Sequence, residues 1–122
     1  MVPHPLILLP PSEGKASGGE GLPLDLESLS FGEFNKSRAL LIKSIEQLSR
    51  KPKAAHKTLG VKGAALDKAR TDNADVMSSP TQPAIERYTG VMYEAIDYQS
   101  LDDSAKRIFS KSTLIMSGLF GM

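Results

Sequence analysis

A mixed α/β fold, with an α+β arrangement as the alternative, follows from three features of the sequence. An apolar run over residues 5–9 ends on Pro10-Pro11, a helical apolar stripe runs through residues 33–50, and a second apolar run at residues 112–117 follows another helical pattern. Strands near 5–9 and 112–117, with helices near 33–50, 64–70 and 101–110, are therefore expected.

The first strand is placed over His4 to Leu9, where an unbroken apolar run suits a strand buried on both faces. Residues 12–21 hold four glycines in ten positions, which is too little apolar surface to pack a core, so a long mobile loop is expected. In residues 33–50, Phe34, Leu41, Ile45 and Leu48 fall within about 60° of one another at roughly 100° per residue, so this stripe should face the core. Lys36, Lys43 and Arg50 recur every seven residues on the opposite side, and Pro52 ends the helix or bends the chain.

Thr58 to Gly63 reads as a glycine-containing turn into a short alanine-rich helix over 64–70, giving a coarse helix, turn, helix shape. Residues 72–83 are polar with two prolines and read as a connecting loop, followed by a helical turn at Ala84 to Arg87. Tyr88 to Tyr93 is rich in β-formers around Gly90 and fits a strand or a tight bend. Ser100 or Asp102 can cap the helix over 101–110, whose apolar side would be Leu101, Ala105, Ile108 and Phe109. The second strand then closes the pattern.

At 122 residues the chain is long enough for one domain and too short for two well-built ones. With 40% hydrophobic and 24% charged residues it is neither a disordered tail nor a membrane span. The run from Pro5 to Pro11 is too short for a bilayer and lacks a basic region before it, which predicts no membrane partner and a cytoplasmic location. There is no cysteine, and the histidines are His4 and His56, so neither a disulfide framework nor a histidine-rich metal centre is expected. No cofactor is implied.

Charge is unevenly distributed behind a formal total of +1. Residues 1–35 carry one basic and five acidic side chains (net −4), residues 36–70 ten and two (net +8), and residues 71–122 four and seven (net −3). A basic middle block attracts phosphate-rich polymers, although such blocks also occur as plain solvated helix faces. Within it, Gly60 to Gly63 resembles the hairpin of a helix-hairpin-helix module, in which backbone amides hold a DNA phosphate. The usual hairpin has glycines two apart, whereas these are three apart, and a simple glycine C-cap explains the turn equally well. The surrounding cations favour DNA as the partner, through Lys43, Arg50, Lys57, Gly60, Lys62, Gly63 and Lys68.

A second candidate site is the loop after the first strand. Ser12, Glu13 and Lys15 put a hydroxyl, a carboxylate and an ammonium at a sheet edge, where α/β proteins commonly build sites. It is not a phosphate-binding P-loop, because Leu9 stands where that pattern needs a glycine. Tyr88, Thr89 and Ser117 also lie at strand or loop ends, and together these six are the catalytic candidates. On the residues alone, the plainer reading is a surface loop with a Glu–Lys pair. No Ser-His-Asp set can be assembled with any specificity, and His56 among lysines reads as ordinary surface.

Three segments in order, Leu6 to Lys15 (LILLPPSEGK), Pro83 to Tyr93 (PAIERYTGVMY) and Met116 to Gly121 (MSGLFG), resemble the peroxide stress protein YaaA family along nearly the whole chain. The resemblance implies a cytosolic protein of the oxidative-stress response that lowers peroxide damage and is linked to limiting free iron and to binding DNA. It also implies an unusual α/β fold with a positively charged cleft and a helix-hairpin-helix-like element. In the family the third motif continues into a Leu-Arg-Pro segment and a large C-terminal half, so residues 1–122 are expected to be a single partial domain of a truncated member. Direct iron binding fits poorly with a chain that has no cysteine and two histidines. The alternative to a DNA-binding stress protein is an enzyme of unknown reaction, with a small-molecule or nucleotide site at the Ser12–Lys15 loop.

Overall fold

In a computed structural model, which describes residues 5–122, strands and helices intermix as an α/β domain requires. His4 lies outside the described residues. Among the described residues the chain forms two compact units, one built from residues 5–21 and 81–122, the other from Leu22–Pro80.

In the first unit, the apolar run after Pro5 is a strand only over its last three residues, β1 (Ile7–Leu9). It pairs in parallel with the strand Thr113–Ile115, with Leu8 opposite Leu114, and Met116 N–H donates to Leu9 O at 2.9 Å to extend the ladder. The expectation of a strand buried on both faces is corrected: Ile7 is 47% and Leu8 58% exposed, because this sheet has two strands and little packs over β1. The glycine-rich loop is also better anchored than its composition suggests. Ala16 N–H donates to Arg87 O at 2.8 Å, Arg87 Nη1 to Ala16 O at 2.7 Å, and Thr89 N–H to Gly14 O at 3.0 Å.

The chain leaves and re-enters this unit at β2 (Gly21–Pro23) and β3 (Pro80–Thr81), which form a second two-stranded sheet. Gly21 has to be glycine there, since a Cβ would collide with the Thr81 hydroxyl.

Three helices make the second unit: α1 (Asn35–Ser49), α2 (Pro52–Leu59) and α3 (Gly63–Ala74). The buried face of α1 differs from the expected stripe. Arg38, Ile42 and Ser49 are buried while Leu41 is 47% exposed and Phe34 is also exposed, so the inner arc lies roughly 70° further round the helix. Arg38, 1% exposed, causes the rotation: its guanidinium donates to Ser30 O and Asn35 Oδ1 at 2.8 Å and to Phe31 O at 3.2 Å. This clamps Phe31 in the left-handed region at φ 57°, an uncommon conformation for a bulky residue. Lys36, Lys43 and Arg50 are exposed.

Pro52 opens a helix rather than merely ending one, because the first helical position needs no N–H. Ala55 on α2 is fully buried, and its small side chain lets α2 pack closely on α1 and α3. Arg70 Nε donates to Ser49 O at 2.7 Å, supplying a partner for a carbonyl left open at the end of α1. The helix expected over 64–70 runs on to Ala74, so residues 72–74 are helical rather than loop.

Three further α-helices precede the last strand of the first unit. α4 (Ala84–Arg87) is the expected helical turn. α5 (Val91–Ile96) replaces the strand entertained for Tyr88 to Tyr93, since Gly90 at φ 111° reverses the chain and the β-formers after it wind into helix. α6 (Asp103–Ser112) is capped by Asp102, whose Oδ1 accepts from Ala105 N–H at 2.8 Å, and leads directly into β4 (Thr113–Ile115). Ile108 on α6 is 64% exposed, so it does not belong to the apolar side expected for it.

Candidate functional site

Two groups of candidate residues fall in different units. In the first unit, the parallel pairing of β1 and β4 carries the Pro10–Lys15 loop and Ser117 out of the same edge of the sheet, the C-terminal ends of both strands. Ligand sites in α/β sheets favour this edge. The loop is joined by a segment more than seventy residues further along. Lys15 and Tyr88 form an antiparallel bridge, and Thr89 follows against Gly14. A Cβ on Gly14 would stand 2.5 Å from Thr89 Oγ1, so only glycine lets the two segments close this tightly.

Side chains complete the arrangement. Ser12 Oγ donates to Gly14 O at 2.5 Å, and Lys15 Nζ donates to Ser12 O at 3.1 Å and Glu13 O at 3.2 Å, folding the loop onto its own lysine. The ammonium also lies 5.5 Å from the centroid of the Tyr88 ring, a cation–π contact. Two of its three N–H donors are used by the loop, which leaves one for a ligand. Tyr93, buried, donates its hydroxyl to Pro10 O at 2.6 Å and packs its ring 5.6 Å from that of Tyr88. Burial pushes the Tyr93 phenol above its usual range, and the neighbouring Tyr88 adds to the effect. A cavity of about 210 Å³ opens here between Pro10, Pro11 and Ser12 on one side and Thr89, Gly90, Met92 and Tyr93 on the other.

Ser12, Lys15, Tyr88 and Thr89 are thus brought together, while Glu13 is exposed beside them. The Ser117 hydroxyl accepts from Leu119 N–H at 3.2 Å and Phe120 N–H at 3.0 Å, closing a turn that its own backbone completes with Gly121. Arg87 and Tyr93, which tie the loop to the second segment, were not singled out from sequence. Their partners are main-chain carbonyls far away in the chain, and no local pattern announces such bonds.

In the second unit, Lys57, Gly60, Lys62 and Gly63 cluster at the connection between α2 and α3. Gly60 ends α2 in the left-handed conformation (φ 70°), with its N–H bonded to His56 O at 3.0 Å, and Gly63 at φ 61° starts α3. Lys62 precedes α3 without a side-chain cap on its first amides, so partial positive charge gathers there. Lys57 and Lys62 are exposed, and among the described residues no carboxylate pairs with either. Lys68 is tied to Asp72 at 2.5 Å. Arg50 is exposed at the end of α1, and Lys43 lies two turns back along that helix, about 10 Å by helical rise.

Among the described residues no three His, Asp or Glu side chains gather to hold a metal ion, and no helix is long and apolar enough to cross a membrane.

A family profile described as Peroxide stress protein YaaA matches residues 6–122. A UPF0246 protein of Streptomyces coelicolor is 42% identical over 117 residues, covering 95% of this chain and 45% of that protein. A UPF0246 protein of Corynebacterium efficiens is likewise 42% identical over 117 residues, with 96% and 45% covered. An uncharacterized protein of Campylobacter jejuni is 32% identical over 119 residues, with 95% and 47% covered. The chain therefore spans about half the length of the curated relatives it matches. No solved structure matches it significantly. The profile match takes in the Ser12–Lys15 loop, the Tyr88–Thr89 segment packed on it and the helical unit between them, and the chain belongs to the peroxide stress protein YaaA family.

Proposed function

We propose that the chain serves the cytosolic peroxide-stress response by binding DNA, and so limits damage from peroxide and iron, through the basic connection between α2 and α3. The observation that carries this reading is the turn itself. Two left-handed glycines, Gly60 and Gly63, bracket Lys62 at the start of α3, and Lys57 stands in the last turn of α2. Ten of the chain's fifteen Lys and Arg lie in residues 36–70. Backbone amides at a helix start, supported by unpaired lysines, accept a phosphate without reading a base, so the binding is of low sequence specificity. Lys43, Arg50 and Lys68 extend the same charge, with Lys68 shared with Asp72. Fluorescence anisotropy with a labelled duplex tests it: Lys57→Glu with Lys62→Glu abolishes binding at low salt, and unchanged binding overturns the reading.

A second reading has its own support, the cavity beside Ser12 and Thr89. There the unit takes a small molecule or nucleotide, with the remaining Lys15 N–H and the Ser12 and Thr89 hydroxyls as polar contacts. Calorimetric titration with nucleotides tests this, with Lys15→Ala weakening the binding; no heat from any nucleotide sets it aside.

A further inference from the structure

The unit formed by residues 5–21 and 81–122 contains five Lys and Arg side chains: Lys15, Arg87, Lys106, Arg107 and Lys111. Lys15 and Arg87 are bound to main-chain carbonyls. The other three lie on α6 within six residues, and none of their side chains makes a hydrogen bond or ion pair among the described residues.

Their spacing gathers them. Lys106, Arg107, Ser110 and Lys111 fall on one face at helical periodicity and line an open groove of about 460 Å³, together with Tyr98 and Asp103. Arg107 and Lys111 are exposed. The Lys106 ammonium is held over the Tyr98 ring, 5.2 Å from its centroid, and that ring is backed by Phe109 at 5.5 Å. An aromatic face holds a cation without neutralising it, so Lys106 is positioned yet keeps its full charge for an anion. Asp103 is the one acid on the groove, and no ion pair joins it to Arg107 one turn on.

From this geometry we propose that the outer face of α6 is a second DNA contact, which takes the phosphodiester backbone through Lys106, Arg107 and Lys111, with the Ser110 hydroxyl as a neutral donor. An open groove with net positive charge suits a strand of phosphates better than it suits a small anion that must be enclosed. The inference rests on the reading that the chain binds DNA, and it assigns a part of that binding to residues outside α2 and α3.

The test uses the whole chain and a labelled duplex of random sequence, titrated at several salt concentrations. Arg107→Glu with Lys111→Glu weakens binding at least tenfold at low salt and makes the log–log salt slope shallower by about 1.8, two phosphates' worth. Arg107→Gln with Lys111→Gln removes the two charges without reversing them and shows the same direction, which covers a charge-reversed chain that does not fold. Asp103→Asn tightens binding severalfold, an effect that a merely structural role for α6 does not produce. Unchanged affinity and slope in all three variants, with the Lys57→Glu, Lys62→Glu chain still defective, overturn this inference and leave the first reading intact. Loss in the α6 variants alone upholds the inference and overturns the assignment to α2 and α3. Polyglutamate competing as well as DNA, charge for charge, overturns the choice of phosphate.

Discussion

Arg38→Met lowers the unfolding free energy of the Leu22–Pro80 unit by about 3 kcal/mol, worked from three hydrogen bonds at about 1 kcal/mol each. The bonds run from the guanidinium to Ser30 O, Phe31 O and Asn35 Oδ1. Bonds to a charged donor are ordinarily worth more, but Ser30 and Phe31 sit on an exposed turn, where water replaces part of what is lost. Methionine keeps the buried apolar stem, so the measured loss reports the polar head. With a urea slope of about 2 kcal/mol per molar, the midpoint falls by about 1.5 M. Circular dichroism during urea titration is a direct assay, since α1, α2 and α3 dominate this unit. Arg38→Lys, which keeps the charge but cannot fork between several acceptors, falls between the two. A midpoint for Arg38→Met within about 0.3 M of the parent, on the same slope, refutes the claim that the buried guanidinium holds the Phe31 turn.

Gly14→Ala destabilises the first unit by about 1–2 kcal/mol through overlap with Thr89 Oγ1, and Thr89→Ala in the same chain restores most of it; additive losses in a thermal-melt cycle contradict this close contact. Tyr93 is neutral below its raised pKa, so its unfolded form, with an ordinary pKa near 10, ionises first. The corresponding stability is complete below that value and falls as pH rises through the raised one. Tyr93→Phe removes this alkaline decline, while the lost bond to Pro10 O costs about 1 kcal/mol at neutral pH. Denaturant midpoints across alkaline pH check both statements, and an identical decline in the two proteins refutes the first.

Much of the fold was legible because periodicity is local. α1, α6 and the two strands announce themselves in apolar spacing, and Asp102 is one of the two caps that the sequence offers for α6. The burial of Arg38 was not legible, since its acceptors are carbonyls of a turn whose left-handed residue is a phenylalanine rather than a glycine. α2 is eight residues long, too short for a clear period, although Pro52 at its start and Gly60 at its end are the two usual boundary signals. At Tyr88 to Tyr93, β-forming side chains misdirect the reading, because Gly90 decides the local course of the chain. Grouping Ser12 and Lys15 with Tyr88 and Thr89 rested on their places at strand or loop ends, and the antiparallel bridge between Lys15 and Tyr88 is what gives that grouping a geometry.

The salt dependence of duplex binding by the unaltered chain tests the central claim most directly. Contacts at Lys43, Arg50, Lys57 and Lys62 give a log–log slope of about −3.6, and full release of Lys68 from Asp72 brings it to about −4.5. The α6 face, where it engages, steepens the slope further by about 0.9 for each phosphate. Binding that is insensitive to salt, or no binding to duplex DNA at low salt, contradicts the account.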